Sequence, residues 1–188
     1  LGEFSETDIG NDMFQETSQK NQYKDIEGKR HNEEDIRTFS KKLFDIDDDK
    51  NIRIVKDGEG ADVPTYTVTY EDGKEVYMDI TEQGARPISI LVNREINESK
   101  KSLNDGLLLA EDYLQQFEYD NITATQSQQY DGIGVYAFMY EQEGVRIYPD
   151  SIMVKVALDN GDIIGFNARE YLMNHHDRTI PDAELTIE

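Results

Sequence analysis

The sequence predicts an α+β fold of two tandem repeats, each a helix packed on an antiparallel β-sheet. Two observations carry this reading. Apolar residues at helical spacing give way to apolar residues in alternation, and the change happens twice along the chain. An offset of 88 residues, the separation of Gly73 and Gly161, also lays one hairpin on the other. It matches Tyr66, Val68 and Tyr70 with Val154, Val156 and Leu158, and Val76, Met78 and Ile80 with Ile164, Phe166 and Ala168.

Residues 1–32 are rich in Ser, Gln, Asn, Asp and Glu with thinly spread apolar side chains, as in a linker or the end of a preceding domain. The first repeat is expected over 33–98. Its helix runs from Glu33 to Phe44, with Asn32 as N-cap, acids in the first turn, Lys41 and Lys42 near the end, and Ile36, Phe39 and Leu43 on one face. Strands are expected at Asn51–Lys56 and Thr65–Tyr70. Asp72-Gly73 supplies a type I′ hairpin turn, and Val76, Met78 and Ile80 resume the apolar face before a further strand through Ile88, Ile90 and Val92.

The second repeat is expected over 99–176. Leu103, Leu107, Ala110, Leu114 and Phe117 mark a helix from Ser102 to Phe117. Ile122–Tyr130 and Val135–Glu141 follow as strands joined at Asp131-Gly132. Gln142–Ser151 stands as an extra stretch before the last hairpin, which turns at Asn160-Gly161. Residues 177–188 read as a linker and the start of a truncated third repeat, with Thr186 capping its helix.

Composition excludes several functions. With 40 Asp+Glu against 19 Lys+Arg the net charge is −21, which opposes binding to nucleic acid phosphates or to an anionic membrane surface. Cysteine is absent, so disulfides, thiolate nucleophiles and thiolate metal sites are excluded. Apolar residues make up 37%, low for this length, but 11 Tyr and 7 Phe supply large buried area per side chain. No apolar run approaches the roughly 20 residues of a membrane span.

A helix followed by antiparallel strands, ending in the hairpin Val154-Lys155-Val156-Ala157-Leu158-Asp159-Asn160-Gly161-Asp162-Ile163-Ile164-Gly165-Phe166, resembles the PepSY domain. The longer strings Gly144-Val145-Arg146-Ile147-Tyr148-Pro149-Asp150 and Gly165-Phe166-Asn167-Ala168-Arg169-Glu170-Tyr171-Leu172 are similar to the C-terminal region of the YpeB family of spore germination proteins. Asp79-Ile80-Thr81-Glu82-Gln83-Gly84 with Pro87-Ile88 and Asn93-Arg94 is similar to that family's first repeat. The resemblance implies a non-enzymatic partner that binds, stabilises and restrains the cortex-lytic hydrolase SleB, possible contact with peptidoglycan, and no cofactor. It further implies a parent protein anchored at the outer face of the spore inner membrane or in the cortex, with a membrane helix and a third PepSY repeat outside this soluble segment. The alternatives are a generic PepSY protease inhibitor or chaperone-like module, and a carboxylate-dependent cell-wall hydrolase acting through Asp79, Glu141 or His175.

The chemical motifs favour plain structural readings. Asp45–Asn51 begins like a calcium loop, but Lys50 replaces the required Gly and Lys56 the bidentate Glu, so a solvated turn is expected. Gly132-Ile133-Gly134 opens no helix and makes no dinucleotide site. His175 and His176 are adjacent, lack Cys partners and are expected as surface or packing residues, without a metal. His175-Asp177 with Ser151 or Ser102 has no nucleophile elbow. Arg146, Tyr148 and Asp150 alternate with Val145, Ile147 and Pro149, and are expected to present a cation, an aromatic and an acid on one exposed side of a bent strand. They are the candidate partner-binding residues.

Overall fold

The structure, a computed structural model, describes residues 23, 26–58, 63–176 and 178–180. Most of the polar lead-in and the helix opening expected at Thr186 lie outside them. α1 (Glu33–Phe44) starts at the expected cap: Asn32 accepts from the Asp35 amide at 2.9 Å while Asp35 accepts from the Asn32 amide. α2 (Leu103–Gln116) uses the same device with Ser102 and Asp105. These bonds hold the Asp105 carboxyl below its ordinary range.

The first repeat has strands β1 (Ile52–Asp57), β2 (Thr65–Glu71), β3 (Glu75–Thr81) and β4 (Pro87–Asn93). The second has β5 (Ile122–Tyr130), β6 (Ile133–Gln142), β7 (Val145–Ala157) and β8 (Ile163–Asn167), closed by the short helix α3 (Arg169–Asn174). Each repeat is an antiparallel meander, but the two do not form separate sheets. β4 pairs antiparallel with β8, aligning Ile90 with Phe166, and the order becomes β1-β2-β3-β4-β8-β7-β6-β5. The last strand of each meander would otherwise expose a row of unpaired amides and carbonyls, and each satisfies the other.

The hairpins matched by the 88-residue offset bury nearly the same set: Val154, Val156, Leu158, Ile164, Phe166 and Ala168 are all buried, and so are their counterparts except Tyr70, which is half-buried. Their places in the sheet differ. β2–β3 is the second hairpin step of its repeat and β7–β8 the third, so the offset captures a shared apolar period, not equivalent strands. The turns differ as well. Asp131 and Gly132 both have positive φ and join Tyr130 to Ile133, the two-residue I′ geometry. At the β2–β3 hairpin only Gly73 has positive φ, and Glu71 pairs with Glu75 across a three-residue loop, so the expected I′ turn is replaced by a wider one.

One face of the sheet carries the helices. Tyr66, Val68, Met78, Ile80, Ile88, Ile90, Phe166, Val154, Val156, Tyr136 and Phe138 form a single buried core with Ile36 and Phe44 of α1 and Ala110 and Leu114 of α2. One ring pair crosses the junction of the repeats, Phe39 meeting Phe117 edge-on at 6.5 Å, and within the second repeat Tyr113, Phe117 and Tyr119 surround Phe166 at 5.7 to 6.2 Å. The Tyr136 hydroxyl reaches between Gly106 and Gly134 to donate to the Leu103 carbonyl at 2.6 Å. A methyl group on Gly106 would overlap that hydroxyl and press on Leu158. Gly106→Ala should therefore destabilise by about 2 kcal/mol despite its better helix propensity, measured as a lower urea midpoint at unchanged slope.

Candidate functional site

The candidate residues lie on the hairpin of β6 and β7. Glu143 and Gly144, both at positive φ, turn the chain, and Gln142, Glu141 and Tyr140 pair with Val145, Arg146 and Ile147. The register then jumps, so that Met139 pairs with Ser151 and residues Tyr148, Pro149 and Asp150 bulge from the ladder. What the sequence presented as an extra stretch is the distal half of this long hairpin. The bulge also reverses one expectation. Tyr148 is 72% exposed and Arg146 is exposed, but Asp150 is fully buried and shares no outer surface with them.

Asp150 is an anchor. Arg178 donates to both of its oxygens at 2.9 and 2.8 Å, and His175 Nδ1 lies 2.8 Å from Oδ2. Gln142 ties the same segment down, donating to the Arg178 carbonyl at 2.7 Å. The hydrogen-bonded Asp150 carboxylate holds Arg178 above its ordinary pKa. His175 packs flat on Tyr171 at 4.4 Å and edge-on to Tyr140 at 4.5 Å, a packing position as expected, and His176 is exposed. α3, which carries Tyr171, was illegible because it is six residues long and starts at Ala168 without a side-chain cap. The Asp177 of the triad reading lies outside the described residues.

The structure separates the two carboxylates of the hydrolase alternative. Asp79 on β3 accepts from Thr67 and Tyr77 and pairs with Arg169. Glu141 lies on β6, four strand positions away. At about 4.8 Å per strand the two are on the order of 19 Å apart, well beyond the roughly 5 to 9.5 Å of a glycosidase carboxyl pair. The acidic run after α1 forms a left-handed cap at Asp45 and a 3₁₀ turn over Asp49–Asn51, with the Asp48 carboxylate accepting from the Lys50 amide.

Sequence reasoning missed a second ionic anchor, between the repeats. Arg94, just past β4, donates to both oxygens of Asp159 at 2.8 and 2.9 Å, and the amides of Asn97 and Asn160 donate to the same carboxylate. These bonds, the Arg94 side chain foremost, hold the Asp159 carboxyl far below the usual carboxylate range. The pair locks the inter-repeat connection onto the β7–β8 loop. A cleft of about 620 Å³ opens nearby between α1 and α2, lined by Phe39, Leu43, Phe117, Ile163, Lys42 and Lys74 among others. No helix among the described residues is long and apolar enough to cross a membrane.

A family model described as "YpeB sporulation, PepSY1 and PepSY2 domains" matches residues 1–181. Sporulation protein YpeB of Oceanobacillus iheyensis is 40% identical over 184 residues, covering 97% of this chain and 41% of that protein. Sporulation protein YpeB of Bacillus subtilis is 35% identical over 192 residues, covering 99% of this chain and 42% of its own length. The chain thus spans about two fifths of the curated relatives it matches. Among solved structures, the Bacillus megaterium YpeB C-terminal domain superposes with a TM-score of 0.74 at 36% identity, covering 82% of this chain and 70% of that one.

Proposed function

Because this chain belongs to the YpeB family of sporulation proteins, we propose that it is a non-enzymatic binding module of spore germination that holds and restrains the cortex-lytic hydrolase SleB through the tip of the β6–β7 hairpin. The protein that contains it would act at the outer face of the spore inner membrane or in the cortex. The observation that carries this reading is the bulge over a buried anchor. Tyr148 stands out of the ladder with Arg146 and Val145 exposed nearby, while Asp150, Arg178 and His175 fix its base. Rigid support of an exposed aromatic lowers the ordering cost of binding, and Tyr and Arg are the residue types that dominate interface energetics. The net charge of −21 adds steering toward a partner with a basic surface.

The test is direct binding of this chain to the purified hydrolase. A complex is expected at low ionic strength that weakens at high salt. Tyr148→Ala should weaken it by about tenfold or more, with a melting temperature within about 1 °C of the parent because an exposed side chain contributes little to folding. Absence of a complex at low salt removes direct binding. Binding unaffected by Tyr148→Ala and by Arg146→Ala moves the contact elsewhere.

A further inference from the structure

Among the described residues the sheet has two unpaired edges, and they are built differently. β1 is six residues long and carries Arg53, Lys56 and Asp57, and its Ile52 carbonyl accepts from Arg37 at 2.9 Å. Charged residues and blocked backbone groups are the usual guards of an exposed edge. Among the described residues β5 has no such guard. It is nine residues long, contains no Pro, and is exposed from Gln126 to Tyr130. From Asn121 to Tyr140 the only charged residue is Asp131, at the turn, although 31% of the chain is charged.

The backbone of this edge is available. Tyr130 and Ile133 flank the two-residue I′ turn and so form a hydrogen-bonded pair, and alternation along the ladder then directs the amides of Ser127 and Gln129 away from β6. The bulge between Ala124 and Gln126 leaves Gln126 to Tyr130 as the regular stretch. Acids bracket the neutral strand: Glu118 and Asp120 precede it and Asp131 follows. Pairing two copies antiparallel along the whole of β5 would bring Asp120 of each beside Asp131 of the other, in a chain already at −21. A second copy is therefore a poor occupant, and a neutral strand with basic ends is a good one.

We propose that β5 is an acceptor for an extended strand of a different polypeptide, uncharged in its centre and basic at its ends, which adds to the sheet as a ninth strand. This deepens the binding-module reading and rests on it, but uses a different surface from the β6–β7 tip.

The test uses two synthetic peptides of alternating threonine and valine, one with two lysines at each end and one with two glutamates. The lysine peptide should bind at least about tenfold more tightly by fluorescence anisotropy. It should also slow hydrogen exchange at the amides of Ser127 and Gln129. Gln129→Pro, which removes one outward donor, and Ser127→Lys, which places a charge on the edge, should each abolish binding without lowering the melting temperature by more than a few degrees. If Gln129→Pro does not fold, Ser127→Lys alone decides. Equal affinity for the two peptides, binding by neither, binding that survives Ser127→Lys, or edge protection that rises with protein concentration alone would each overturn the proposal. Hydrolase binding that persists in Ser127→Lys while peptide capture is absent removes the strand acceptor but leaves the binding module standing. Peptide capture without hydrolase binding does the reverse.

Discussion

Replacing Phe166 by alanine should lower the unfolding free energy by about 4 kcal/mol and the melting temperature by roughly 10 °C. Phe166 is 3% exposed and sits on β8, next to the strand contributed by the other repeat. Its cross-strand neighbours are Ile90 of β4 and Val154 of β7, and three rings from α2 and its C-terminal turn close over it. Truncation removes the transfer free energy of a full aromatic side chain and leaves a cavity whose walls, two paired strands and a helix end, have little freedom to collapse. Phe166→Leu, which fills most of the volume, should cost less than half as much. Urea unfolding followed by circular dichroism measures both. A loss below about 2 kcal/mol for the alanine variant would mean that the strands and rings around Phe166 collapse into the space it leaves.

Asp159→Asn should be the second most damaging change, costing about 3 kcal/mol at neutral pH and progressively less in acid. The substitution leaves the Arg94 guanidinium, whose side chain is 15% exposed, without its main counter-ion. The sign follows from the depressed carboxyl. A group with a lower pKa in the folded state contributes its full stability above its unfolded value of about 3.9 and loses that contribution as the pH falls toward the folded one. The parent protein should thus lose stability below about pH 4 more steeply than Asp159→Asn, so that the two urea midpoints converge. A gap of constant size from pH 7 to pH 2 would assign Asp159 a packing role and no ionic one.

The elements that could be read in advance are those specified by neighbours in sequence. Asn32 with Asp35 and Ser102 with Asp105 are capping boxes, complete within three residues, and both helices begin where those residues stand. The buried faces of β2, β3, β7 and β8 follow from alternation alone. Asp72-Gly73 and Asp131-Gly132 look alike yet turn differently, because the pairing of Glu71 with Glu75 fixes the loop length and that register depends on the whole strand. Asp150 was misplaced because alternation extrapolates straight through a bulge. Pro149 inside the strand was the available signal, since proline there marks an interrupted ladder. The Arg94–Asp159 pair spans 65 residues and leaves no local trace. The pairing of β4 with β8 is equally silent, because a strand's side chains specify its buried face and not the identity of its neighbour.

That pairing limits how such repeats can be assembled. A head-to-tail contact between successive units leaves a fresh copy of the same contact at each end and can be extended indefinitely. Here the fourth strand of one unit meets the fourth strand of the other, in opposite directions. The arrangement is isologous in kind, and such a contact saturates at two. Any further unit would have to attach by a different surface, through β1, β5 or the helical layer. A third unit of this kind therefore cannot reuse the β4–β8 contact and must join through a junction of a second type.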